Sequence, residues 1–81
     1  MARVYHVVAK WDSEAGVWVA ESDDVPGLVA EAESPNTLTR KLRGLIPELL
    51  QLNGVLPGSG EPVEFLVRYH HEESSVTPLA S

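Results

Sequence analysis

The groups best able to do chemistry in this sequence are carboxylates. From Asp12 to Glu33 the charged residues are Asp12, Glu14, Glu21, Asp23, Asp24, Glu31 and Glu33, with no Lys or Arg among them. Such a run has three uses. Glu21 with Asp23 and Asp24 could hold Ca²⁺ or Mg²⁺, which take hard oxygen ligands. Consecutive acids in a turn more often stay solvated or cap backbone N–H groups, and a solvated run simply keeps a chain soluble. The third use is a docking face for a basic protein, because complementary charge speeds encounter and sets register. Glu21, Asp23, Asp24, Glu31 and Glu33 are therefore the candidate docking acids, and no metal is expected among them.

The other reactive residue types are badly placed for catalysis. His70 and His71 are adjacent, so on a strand they point to opposite faces and do not chelate together. His6 has no ligand partner close in sequence. Ser13, Ser22 and Ser34 fall at turns and a helix cap. Gly54, Gly58 and Gly60 are not followed by the Lys-Ser/Thr of a phosphate loop. The absence of cysteine removes disulfides and thiolate metal sites. The sequence predicts a protein that is not an enzyme and takes no cofactor. Its formal charge is −6. Direct nucleic-acid binding is not expected, because phosphate neutralisation needs a basic patch.

A small scaffold has to position these side chains. The 81 residues suffice for one domain. Domains of this size rarely gain more than about 3–5 kcal/mol from one core, and oligomerisation is the staple left when disulfides and metals are absent. Val4 to Trp11 reads as a strand, Asp12 to Gly16 as a turn, and Val17 to Ser22 as the returning strand of a hairpin. Pro26-Gly27 suits the middle of a type II turn. Leu28 to Glu33 is a third strand. Ser34 caps a helix with Pro35 at its first position. Leu38, Leu42, Leu45, Ile46, Leu49 and Leu52 form its apolar stripe, and Asn53-Gly54 stops it. Pro47 lies inside, opposite the stripe, and predicts one bent helix or two short ones broken near Ile46. Val55 to Glu61 is a Gly/Pro loop, and Pro62 to Tyr69 a fourth strand.

The fold class is α+β in the order β-β-β-α-β: a three- to four-stranded sheet with one bent helix packed on one face. Residues 1–70 form the domain and 71–81 a disordered polar tail. The core face takes Val7, Ala9, Trp18, Ala20, Leu28, Ala30, Phe65 and Val67. The opposite face carries Val4, Val8, Val17, Val19, Val29 and Leu66 among His6, Lys10, Glu21 and Glu31, which is too apolar for a face left in water. Val4, Val8, Val17, Val19 and Val29 are the candidate oligomer face. Arg40, Lys41 and Arg43 make a basic shoulder on the helix, either solvated or touching a neighbouring subunit's acidic turn. The amino terminus lacks a signal peptide's apolar region, and no apolar run approaches a membrane span, so a cytoplasmic protein is expected.

Two stretches resemble a known family. The Trp-Asp-x-Glu-x-Gly-x-Trp run at Trp11 to Trp18 and the Asp-x-Pro-Gly-Leu turn at Asp24 to Leu28 are similar to the small bacterial domains called DUF1902. Glu31-Ala32, Pro47-Glu48-Leu49-Leu50 and Asn53-Gly54 continue the pattern, and the likeness spans residues 4–69. That family resembles the amino-terminal domain of HicB antitoxins. The resemblance implies a truncated ribonuclease H-like core, a dimer or larger assembly, and a small basic mRNA-cleaving toxin, HicA, as the masked partner. Full antitoxins add a DNA-binding domain, whereas only a short polar tail follows Tyr69 here, so operator binding by this chain alone is not expected.

The ribonuclease H-like resemblance implies that an active site would draw its carboxylates around Mg²⁺ from the first strand, the helix and the fourth strand. Strand one has no acid before Asp12, the helix offers Glu48 alone, and the fourth strand offers Glu64 on the face away from the helix. The sequence thus points to a protein-binding module of the HicB-like antitoxin class, homo-oligomeric as a dimer or tetramer, masking a small basic HicA-like partner. The alternative is a stand-alone oligomeric scaffold or small-ligand-binding domain.

Overall fold

The computed structural model describes residues 3–54 and 62–71. The expected 55–61 loop and the tail beyond His71 lie outside the described residues. Five elements follow in the anticipated order: β1 (Val4–Asp12), β2 (Val17–Glu21), β3 (Val29–Ala32), α1 (Pro35–Leu52) and β4 (Glu64–His70). The sheet runs β3-β2-β1-β4. The first three strands are antiparallel neighbours, and β4 lies parallel to β1. The helix carries the chain from one edge of the sheet to the other.

The turns form where the sequence offers the right residues. Asp12 Oδ1 accepts from the N–H groups of Glu14 (3.0 Å) and Ala15 (3.3 Å), so the side chain closes its own turn. Gly16 follows with φ 68° and donates to Asp12 O at 2.8 Å. At the second turn Leu28 N donates to Val25 O at 3.1 Å, with Gly27 at φ 82°. Pro26 then Gly27 in those places is the type II turn that the pair predicts.

Ser34 caps α1 by accepting from Thr37 N at 3.2 Å. At the other end Asn53 Nδ2 donates to Leu49 O at 2.8 Å. Leu38, Leu42, Ile46 and Leu50 are fully buried, and each contributes about 1.5–3 kcal/mol by leaving water. Of the two outcomes expected at Pro47, the single helix is found and the break near Ile46 is not: α1 is one uninterrupted element with Pro47 inside it. The expectation at Leu52 needs correction. Leu52 is 76% exposed and Leu50 takes its place in the core. At about 100° per residue the buried side is centred between Leu42 and Ile46, and Leu52 lies about 100° round the axis from that centre.

Val7, Ala9, Ala20 and Leu28 are buried as anticipated, with Trp18, Ala30, Phe65 and Val67 half-buried against them. Tyr5, Val25 and Ala32 complete the core and escaped the sequence reading. Tyr5 follows from the same alternation as Val7 and Ala9. Val25 does not, because it belongs to a turn.

Candidate docking surface

The acidic segment that leaves β2 is built as a structural joint. β2 ends at Glu21 while β1 continues, and this would leave the His6 backbone without a partner on that side. Side chains take over: Asp24 Oδ2 accepts from His6 N at 2.8 Å, and Ser22 Oγ donates to His6 O. Ser22 Oγ also accepts from Asp24 N (3.0 Å) and Val25 N (3.2 Å). Arg3 lies 3.6 Å from the Asp24 carboxylate. Val25 is driven fully into the core below, and Asn53 Nδ2 at the helix end donates to Pro26 O at 3.2 Å. The segment is thereby tied to β1, the core and the helix at once.

This joint divides the five candidate docking acids. Asp24 is half-buried and committed to the backbone, while Glu21, Asp23, Glu31 and Glu33 are exposed. Glu21, Asp23 and Asp24 border one shallow depression of about 590 Å³ on the helix-free face, together with His6 and Lys10 of β1. Glu31 lies two residues further along β3 from Val29 at the rim, and Glu33 lies beyond the strand. His6 and Lys10 were legible as residues of that face but not as neighbours of the acids. Only the strand register brings them there, and it makes the depression mixed in charge.

Register also sets the pattern of the helix-free face. Across the sheet Val29, Glu21, Val8 and Arg68 stand in one row, and Glu31, Val19, Lys10 and His70 in the next. Valines therefore alternate with charges of both signs. Of the candidate oligomer face, Val29 is 70% and Val4 39% exposed, while Val8, Val17 and Val19 are half-buried. The basic shoulder is spent partly within the chain, since Lys41 Nζ donates to Glu31 O at 2.8 Å.

On the helix side, rings gather beside the start of α1. Trp18 meets Trp11 edge-on at 5.4 Å and Tyr69 at 5.1 Å between centroids. His71 stands 6.0 Å from both tryptophans, so this first residue of the expected tail packs on the hairpin, opposite in direction to His70. Tyr69 Oη approaches Pro35 O at 3.4 Å. These contacts cap the open end of the core with large rings whose polar tips remain wet.

Among the described residues no three His, Asp or Glu side chains gather as a metal site requires. Glu48 belongs to the helix layer, whereas Glu64 alternates with Phe65 and points to the other side of the sheet. No described helix is long and apolar enough to cross a membrane.

Comparison with known proteins agrees with this architecture. The hypothetical protein TTHA1013 from the extremely thermophilic bacterium Thermus thermophilus has a crystal structure that superposes with a TM-score of 0.68 at 45% sequence identity, over 93% of this chain and 100% of that one. No curated protein matches. The family model DUF1902, a domain of unknown function, matches residues 4–77, and the chain belongs to that family.

Proposed function

We propose that this domain is a non-catalytic protein-binding module of the HicB-like antitoxin class, and that it masks a small basic partner such as a toxin-type ribonuclease. The observation that supports this reading is the joint itself. The scaffold holds Glu21 and Asp23 exposed at one rim, next to Val29, with Glu31 further along β3 and Glu33 exposed beyond the strand. Exposed acids beside an exposed valine give a basic protein both steering and contact area.

The test is capture from the source cell's lysate at low and high salt. A small basic protein that co-purifies and is released by salt supports the reading. Glu21→Lys with Asp23→Lys should then weaken the complex and flatten its salt dependence; unchanged affinity would sink it. Asp24 is left alone in that variant because its loss would disturb the fold. A ribonuclease assay with Mg²⁺ checks the non-catalytic part, and turnover that survives purification would reverse it.

The second reading is a self-assembling scaffold or small-ligand-binding domain without a toxin partner, favoured by the 70% exposure of Val29 and the 39% exposure of Val4 on the helix-free face. Val17→Lys with Val19→Lys should yield a smaller species if Val4, Val8, Val17, Val19 and Val29 form the contact. An unchanged oligomer refutes that surface.

A further inference from the structure

We propose that β4 pairs edge to edge with β4 of a second copy, antiparallel about a two-fold axis at Leu66, joining two sheets into one. Among the described residues β4 is a sheet edge whose one neighbour is β1. On β1 the His6 N–H and C=O both turn to the β2 side, where Asp24 and Ser22 meet them. Backbone groups alternate along a strand, so those of Tyr5, Val7 and Ala9 turn to β4. A residue in a parallel ladder bonds the two residues flanking its opposite number. Tyr5 stands opposite Phe65, Val7 opposite Val67 and Ala9 opposite Tyr69. Glu64, Leu66, Arg68 and His70 therefore serve β1, and Phe65, Val67 and Tyr69 aim their N–H and C=O groups away from the sheet. The same alternation turns Glu31 outward on the opposite edge, where Lys41 does meet its carbonyl at 2.8 Å.

The occupant follows from complementarity. With Leu66 on the axis, outward-turned Phe65 faces outward-turned Val67 of the other copy, and the ladder closes. Glu64 then faces Arg68 twice, once on each side of a Leu66 pair. A slip of one residue would set outward against inward groups and exchange the two faces of the sheet. The helix supplies a second reason, since it runs nearest β3 and β2. That leaves Phe65 and Val67 half-buried and Tyr69 37% exposed on the helix side, and on the other face Leu66 is 45% exposed. In the joined sheet both helices lie on one side, where Phe65, Val67 and Tyr69 fill the trough between them, while the Leu66 pair meets on the helix-free face. Opposite-charge and apolar cross-strand pairs each stabilise a ladder, and like charges directly opposite destabilise it.

The test uses the whole chain, and its lack of cysteine makes single-cysteine variants clean. Leu66→Cys should give a disulfide-linked dimer on mild oxidation, because the axial pair is the closer, non-hydrogen-bonded kind. Sedimentation should show Glu64→Arg or Arg68→Glu weakening the dimer about tenfold, with affinity restored in the double swap. All three side chains are exposed or half-buried at the open edge, so folding survives these changes. A chain that stays monomeric, a dimer that crosslinks through Val67→Cys instead, or a double swap without rescue each overturns the proposal. The outcome is independent of the basic-partner reading, since Glu21→Lys with Asp23→Lys leaves this edge untouched.

Discussion

In the β2–β3 half of the sheet, α1 lies overhead, the Ser22–Asp24 joint closes the strand end, and Lys41 reaches down to occupy the Glu31 carbonyl. At β4 the helix is further off, the described side chains are half-buried or exposed, and the strand is seven residues long against four in β3. A short edge with a lysine across it is how soluble proteins discourage strand addition, and a long edge with apolar side chains is how they invite it. The two halves share one alternation of faces, yet among the described residues the β3 edge is closed against strand addition and the β4 edge is not.

Core substitutions should separate the halves most sharply. Leu42→Ala or Ile46→Ala, under the closed half, should cost about 2–5 kcal/mol. For a domain with about 3–5 kcal/mol in hand, thermal or denaturant melting should show most of the cooperative transition lost. Phe65→Ala on the open side should cost less, about 1–2 kcal/mol, because its side chain is only half-buried and leaves a cavity that water can enter. Equal losses at Leu42 and Phe65 would contradict the asymmetry.

The joint offers the next contrast, between neighbours of the same chemical type. Ser22→Ala should cost about 1–2 kcal/mol by orphaning the His6 carbonyl and the Asp24 and Val25 N–H groups, and Asp24→Ala about 1 kcal/mol. Asp23→Ala, exposed beside it, should stay within about 0.5 kcal/mol. Chemical denaturation of the three variants checks this, and an Asp23 effect as large as that of Asp24 would remove the distinction between structural and docking acids.

Smaller effects test the edges themselves. Lys41→Met should cost about 0.5–1 kcal/mol for the lost hydrogen bond. It should also add a new, concentration-dependent association at β3, visible by sedimentation, because the edge carbonyl becomes available. Val29→Lys should change stability by no more than about 0.5 kcal/mol. Its effect belongs in assembly or partner affinity, and a marked loss of stability would show that Val29 already packs within the chain.

Much of this was legible before any coordinates. Ser34-Pro35, Pro26-Gly27 and Asn53-Gly54 act on their own backbone neighbours, so turn type, helix start and helix stop followed from residue type. Alternation along each strand likewise sorted Val7 and Ala9 from His6 and Lys10. The errors came where distant segments meet. Leu52 carries the right residue type at helical spacing, but whether the sheet reaches that side depends on how α1 sits. Val25 lies in a turn with no periodicity to mark it, and its burial depends on where the turn meets the helix. The double duty of Ser22 and the commitment of Asp24 needed the knowledge that β1 outruns β2.

What the sequence determined alone is therefore local and periodic: the order of elements, the two faces of each strand, the caps, and the family to which the pattern belongs. Tertiary structure decided which acids are free. It also decided which sheet edge is closed and which charges stand opposite one another. The physical reason is range. A cap or turn acts within a few residues, and a face repeats every two or three to four. Register, edge and burial are set by contacts such as Asp24 to His6 and Lys41 to Glu31, which no spacing along the chain encodes.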